Sequence, residues 1–460
     1  MRNFSKFSAA ILSAAVFTSS LPAASADAAD LQALRDQVRA LEQQIQVLAR
    51  QIGLREEAAA AATSTAPKIT INDKGLTVAS ADAANSIKLR GLVQLDNRLF
   101  FNDGGGIANS AFILRRARLI AEGVFAKNFS FQLVPEFGGG AVSIVDANFG
   151  ITLNKALSLK FGKFKSPVGL ELLQSDTWTF FNERSIVTNL VPNRDLGVQA
   201  SGDLFDGTLN YAVGVFNGLG DGGSSNNADF DNEKDAVARL IASPFKNSAG
   251  SPLQALSFGL AASYGREKTA AGRTGGYRTD GQQTFFSYSA ATVADGPNWR
   301  LSPQLDYRQG PLGVLGEYVV SAVNVRTSPI APTTELQNKA WQLAAGYVLT
   351  GEASSYAGVA PRTNFDLAAG TWGAFELTGR YASLKVDDAA FPTYASSAAS
   401  AQEATSFGLG LNWYLSKAVH FKIDYYQTKF DFAAGAPAVT ATPILRQDEK
   451  AFVTRFQLAF

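Results

Sequence analysis

Two lysines one residue apart, Lys163 and Lys165, and an arginine further along the same stretch, Arg184, are the residues here best suited to bind something. Ammonium and guanidinium groups gathered at a narrow place attract anions and replace part of their hydration. Little else in the sequence offers chemistry. There is no cysteine, which removes a thiol nucleophile, a thiolate metal site and a disulfide framework together. The one histidine, His420, stands in no serine–histidine–acid spacing and reads as structural. One histidine and no cysteine also argue against a transition-metal site. Asp229, Asp231 and Glu233 lack the ligand spacing of a calcium loop and read as a solvated acidic loop. No catalytic residue, metal or cofactor is therefore expected, and the chain does not read as an enzyme. With 41 basic and 40 acidic residues it lacks the basic excess of a nucleic-acid binder.

The elements that hold those cations show a period of two. At the end of the chain Phe452, Phe456, Leu458 and Phe460 point one way, with Thr454 among them, and Val453, Arg455 and Gln457 point the other. A water-soluble protein that stopped there would leave a sticky edge, whereas a strand that closes a barrel in a membrane has none. The same alternation gives sixteen strands, an even number as a single-chain bacterial barrel requires. They lie near 87–101, 111–125, 128–137, 141–153, 157–165, 195–202, 207–217, 234–243, 255–265, 298–308, 310–320, 338–349, 372–385, 403–415, 418–430 and 450–460. Short turns such as 126–128 and 416–417 interleave with longer loops near 218–233 and 321–337, the asymmetry of an outer-membrane barrel. The connection 350–371 breaks that pattern, being long where the register asks for a short turn.

Parity assigns the faces. In the first strand Ile87, Leu89, Val93, Leu95, Leu99 and Phe101 face lipid, which sends Lys88, Arg90 and Arg98 inward. In the second, Arg116 and Arg118 face the lumen, while Arg115 falls on the apolar parity and is expected to snorkel at the rim. Further along, Arg239, Arg300, Arg308, Arg380 and Arg455 are lumenal by the same rule, as are Glu136, Asp146, Lys160, Glu317, Lys422 and Asp424. On this inward/outward rule about twelve cations meet about eight anions, which leans toward anion passage. Between the fifth and sixth strands, the stretch to Arg194 carries Leu170, Leu172, Leu173, Trp178, Phe180 and Phe181. So apolar a loop is unfavourable in water and is expected to fold into the barrel. That would place Lys163, Lys165 and Arg184 at a constriction, with Glu171, Asp176 and Glu183 orienting them.

Several pieces together resemble the phosphate-selective porins of the O and P type. They are Phe112-Ile-Leu-Arg-Arg116-Ala-Arg118, Gly162-Lys-Phe-Lys-Ser-Pro-Val-Gly-Leu-Glu171 with Asn182-Glu183-Arg184, Leu349-Thr-Gly-Glu352, Gly373-Ala-Phe-Glu-Leu377, Leu411-Asn-Trp-Tyr-Leu415 and the terminal Phe460. The similarity spans about residues 85–460. It implies a sixteen-stranded trimeric barrel in the outer membrane of a Gram-negative bacterium, embedded in lipid and lipopolysaccharide and passing small anions such as phosphate. An arginine ladder leading to constriction lysines is implied too, with Arg90, Arg98, Arg116 and Arg118 as rungs and Lys163 and Lys165 at the loop. The inner loop lacks a dense run of lysines, which favours general anion passage over tight phosphate selectivity.

Ahead of the barrel, 1–26 reads as a signal peptide, with Arg2 and Lys6 before an apolar run and Ala24-Ser25-Ala26 as a cleavage site. Over 27–57, Leu31, Leu34, Val38, Leu41, Ile45, Leu48 and Ile52 alternate spacings of three and four, the seam of a coiled coil. That helix is expected in the periplasm. A linker with a small hairpin around Asp73-Lys74-Gly75 fills 58–85, and 86–460 is the all-β, 16-stranded antiparallel barrel. The alternatives are a weakly selective diffusion pore and a barrel that tethers or adheres.

Overall fold

A computed structural model describes residues 28–101, 108–268, 275–434 and 448–460. The expected signal peptide lies outside the described residues. Two units separate, one ending at Ala66 and one running from Pro67 to Phe460. In the first, helix α1 (Ala28–Thr65) is continuous. Its seam residues Leu31, Leu34, Val38, Leu41, Ile45, Leu48 and Ile52 are all exposed.

The second unit opens with a hairpin, β1 (Lys68–Asn72) and β2 (Gly75–Ala79), where the turn signal predicts it. The wall then follows as β3 (Ser86–Phe101), β4 (Ala111–Phe125), β5 (Phe129–Glu136), β6 (Ser143–Asn154), β7 (Leu157–Lys165), β8 (Arg194–Leu204), β9 (Leu209–Phe216), β10 (Asp235–Ala242) and β11 (Leu256–Lys268). A small loop hairpin, β12 (Gly276–Arg278) and β13 (Thr284–Ser287), interrupts it. The wall resumes with β14 (Val293–Gln309), β15 (Leu312–Arg326), β16 (Thr334–Val348), β17 (Ala374–Lys385), β18 (Glu403–Tyr414), β19 (Val419–Asp431) and β20 (Glu449–Ala459). Each wall strand pairs antiparallel with the next, and β20 pairs with β3 from Lys450↔Phe101 to Ala459↔Leu92, closing sixteen strands. Where β20 stops, β2 takes over the same edge of β3, pairing Leu76↔Leu89 through Ala79↔Ser86.

Alternation holds around the wall. Leu89, Val93, Leu95, Leu377, Leu409, Phe456 and Leu458 are exposed outward, while Gln94, Asp96, Arg380, Asn412, Asp424 and Arg455 are buried inward. Outside, near the short-turn end, Trp413 donates its indole N–H to the Trp372 carbonyl (2.7 Å) and stacks on Phe375. Aromatic rings in that position suit a membrane interface.

On β4 the parity rule fails at a cation. A bulge opposite Gln94/Leu95 inserts Arg115, so Phe112 and Leu114 face out above it and Leu119 faces out below it. Arg115 and Arg116 both turn inward, which corrects the expectation that Arg115 takes the apolar face and snorkels at the rim. An extra residue reverses the faces on one side of itself.

The awkward connection 349–373 does lie at the short-turn end, as the register requires. It folds inward instead of hanging free: Val359 is buried with Val348, Ala374 and Tyr414, and Trp178 packs on that cluster.

Candidate functional site

The stretch 166–193 enters the barrel because its apolar side chains are covered there and its backbone is met by the wall. Val168, Leu170, Leu172, Phe180, Phe181, Val187 and Leu190 are buried. Glu317 accepts the backbone N–H of Leu170 (2.7 Å) and Asp424 that of Asn182 (2.6 Å). Lys422 donates to the Thr179 carbonyl (2.6 Å) and Asn412 to the Phe180 carbonyl (2.9 Å). Irregular backbone at membrane depth must find such partners. From the short-turn end, Tyr356 donates its hydroxyl to the Leu170 carbonyl (2.5 Å) and Gln174 donates to the Tyr356 carbonyl (3.0 Å). From the long-loop end, Asn189 exchanges hydrogen bonds with the backbone of Arg278.

Two of the cavities beside this filling lie toward opposite ends of the barrel. The upper, toward the long loops, is about 950 Å³, and the lower, toward the short turns, about 840 Å³. Arg118, Asp176 and Arg194 line both and therefore stand at the boundary between them. Seven basic and four acidic residues line the upper cavity. The lower has nine basic residues against three acidic ones, Asp73, Asp146 and Asp176.

At the boundary Asp176 is clasped by Arg116 (3.3 Å), Arg118 and Arg184. Burial pushes its carboxyl up, but Arg116, Arg184 and Arg118 outweigh that and hold it well below the usual range. Glu183 binds Arg115 (2.6 Å), Arg98 (2.8 Å) and Arg455 (3.0 Å), and these guanidinium groups likewise overcome burial and depress it. Arg194 pairs with Asp146 (3.2 Å).

The cations expected at the constriction meet around this point. Lys165 donates to the Leu172 and Gln174 carbonyls (2.7 and 2.8 Å) and lines the lower cavity. Lys163 donates to the Ser225 carbonyl (2.6 Å) and Asn227 Oδ1 (2.9 Å) and lines the upper one. An ammonium has three protons, so each keeps one donor. Arg184 is engaged at all three nitrogens, by the Glu171 and Gln174 carbonyls and by Asp176.

The inward cations divide. Lys88, Arg90, Arg118 and Arg239 line the lower cavity, and Arg116 and Arg118 the upper. Lys88 and Arg90 share Glu122. Arg239 donates to Gln304 Oε1 (3.0 Å), and Lys160 lies over the Phe164 ring. Lys160, Lys165 and Arg239 have no ion-pair partner among the described residues. By contrast Arg98, Arg300, Arg380 and Arg455 are only 1–5% exposed and line neither cavity. Their expected pore-lining place is corrected: they face inward but are covered by loops and tied to acids, Arg380 to Asp280 (2.9 Å) and Arg455 to Asp96 (2.6 Å). Arg308 also lines neither, because it stacks on Phe180 and pairs with Asp306. Arg194 was not singled out by the sequence, since the reading starts its strand at 195 and leaves it in the loop. Extending the strand back by one residue would have placed it opposite Lys165.

A family model, phosphate-selective porin O and P, matches residues 87–460. Porin O of Pseudomonas aeruginosa is 25% identical over 440 residues, covering 86% of this chain and 94% of its own. Among solved structures, the outer-membrane channel DcaP of Acinetobacter baumannii aligns with a TM-score of 0.52 at 12% identity, covering 82% of this chain and 98% of that one. OmpF of Salmonella typhi, solved with daunomycin, aligns with a TM-score of 0.51 at 12% identity, covering 85% of this chain and all of the other. At such identities these two structures speak for the fold alone.

Proposed function

The chain belongs to the phosphate-selective porin O and P family and forms an outer-membrane channel rather than an enzyme, and we propose that its basic wall selects small anions, phosphate among them. One observation carries the selectivity: nine basic side chains face three acidic ones around the lower cavity. Charges lining a water-filled space with low-dielectric walls concentrate their potential, so that space enriches anions. An anion leaving the boundary at Arg118 and Arg194 meets Lys165, Lys160 and Arg239, which form no ion pair with a carboxylate among the described residues. The free donors of Lys163 and Lys165 replace part of its hydration, one on each side of the boundary. Neither lysine forms a closed cage, so binding stays weak enough for release.

The exposed seam of α1 supports a homotrimer joined by a periplasmic coiled coil, with the barrels seated in lipid and lipopolysaccharide. The test is the reversal potential of purified protein in a planar bilayer under a KCl gradient, repeated with phosphate. The expected potential is chloride-directed, with conductance lowered by added phosphate. The double variant Lys160→Glu with Arg239→Glu should move the potential toward the cation side. A wild-type potential near zero would reduce the pore to general diffusion.

A further inference from the structure

Beside the lower cavity lies a smaller pocket of about 220 Å³ to which the passage of inorganic anions gives no role. Its floor is the wall, where register sets Ile241, Gly259 and Gln304 side by side on β10, β11 and β14. Gly259 carries no side chain and Gln304 leans over it, so that a Cβ there would lie 2.9 Å from Gln304 Oε1. One row nearer the short turns, Ser243 and Ser257 share a hydrogen bond (2.7 Å). The roof is Leu170 and Leu173 from the inner loop and Tyr356 from the inward connection 349–373. Leu173, Arg239 and Tyr356 line both this pocket and the lower cavity, so they form its mouth.

Arg239 is oriented here without being used up. Gln304 accepts its Nε–H (3.0 Å), and Gln304 is itself fixed by donating to the Val168 carbonyl (2.6 Å) and Ser302 Oγ (3.0 Å). Neither Nη of Arg239 has a hydrogen-bond partner among the described residues. A guanidinium held by one edge still offers its other N–H groups to a carboxylate as a fork. Beyond that fork the pocket presents Leu170, Leu173, Ile241 and the Tyr356 ring, which is tied down by its hydroxyl bond to the Leu170 carbonyl (2.5 Å). Inorganic phosphate or chloride gains nothing from such a surface, whereas an apolar body attached to an anionic head does. An apolar cavity of about 150 Å³ takes up benzene, so this pocket has room for a substituted ring.

We propose that this pocket binds a small aromatic carboxylate, its carboxylate on the Nη groups of Arg239 and its ring between Ile241 and the pair Leu170 and Leu173. The proposal rests on the reading of the pore as an anion channel and adds a class of organic substrate to it. Such an anion dwells at the side of the lower cavity, where chloride passes by.

The test titrates full-length protein in detergent with 4-fluorobenzoate and follows the fluorine resonance. A saturable response is expected, with a dissociation constant on the order of 1 mM. Acetate, which has the head without the ring, should compete only at about tenfold higher concentration. Arg239→Gln should weaken binding about tenfold by removing the fork. Ser257→Phe, whose ring fills the pocket while Arg239 stays, should weaken it about fivefold. No saturable response in the wild type overturns the proposal, as does equal competition by acetate. So does a response that survives either variant; should one fail to fold, the other decides. Failure of the anion reading shows elsewhere, as a KCl reversal potential near zero, on which this titration does not depend.

Discussion

The wall from β3 to β8 and the wall from β14 to β20 carry the same pattern, arginine and lysine at inward positions between apolar outward ones, yet, Arg98 apart, the two sets meet different fates. On the first, Lys88, Arg90, Arg118, Lys160 and Lys165 border a cavity. On the second, Arg300, Arg380, Lys422 and Arg455 are sealed under folded-in loops and hold those loops down. Position along a strand sets the face of a side chain, but what lies over that face decides whether it meets water. The same guanidinium borders a cavity in one place and joins loop to wall in the other.

The contrast breaks most sharply at Glu183. Replacing it by Gln leaves Arg98, Arg115 and Arg455 without their shared carboxylate, and breaking a buried ion pair costs about 3–5 kcal/mol. The barrel should unfold at clearly lower denaturant, and its conductance should become noisy as the loop detaches. Arg115 gives the next effect. Were it facing lipid, Arg115→Leu would be neutral or stabilising; facing Glu183, it should lose about 1.5–3 kcal/mol, the worth of hydrogen bonds between charged groups. Denaturant midpoints separate the two.

Those two residues also mark what the sequence could and could not convey. Sixteen strands, their order and the inward loop follow from alternation and from the apolar run Leu170–Phe181, because period and burial are local properties. The bulge at Arg115 is written in the sequence as a parity switch, with Phe112 and Leu114 on one phase and Ala117 and Leu119 on the other, but a phase taken from Leu119 alone puts Arg115 on the wrong face. The inward fold of 349–373 left only a faint trace in Tyr356 and Val359. The burial of Arg300, Arg380 and Arg455 could not be read from a strand, since it depends on loops distant in sequence that cover them.

On the open wall the effects are smaller in stability and larger in selectivity. Glu122→Gln removes a half-exposed partner of Arg90 and Lys88, which should cost about 0–1 kcal/mol. The freed charge should nonetheless push the reversal potential further toward chloride. Least of all is expected from pH. Asp176 and Glu183 have depressed carboxyls, so their contribution is complete above the unfolded value of about 4 and is lost only as pH falls through the lower folded value. Conductance that depends on Asp176 and Glu183 should stay constant from about pH 8 to 5 and fail only in stronger acid; a change near pH 6 would be assigned to the loop's other carboxylate anchors, Glu317 and Asp424.

The seam between β20 and β3 has a kinetic meaning. Asp96 and Arg455, 359 positions apart, meet only when the last strand finds the first, and Glu183 of the inner loop joins the same cluster. Until then Arg455 lacks the two carboxylates it holds in the closed barrel. An open barrel with its loop docked, or a closed barrel with its loop out, would leave part of that cluster unmatched, so such halfway forms are poorly populated. Ring closure and narrowing of the pore therefore arrive as one late, cooperative event, slow because contacts so distant along the chain form last. A channel assembled this way does not pass through a wide, unguarded stage.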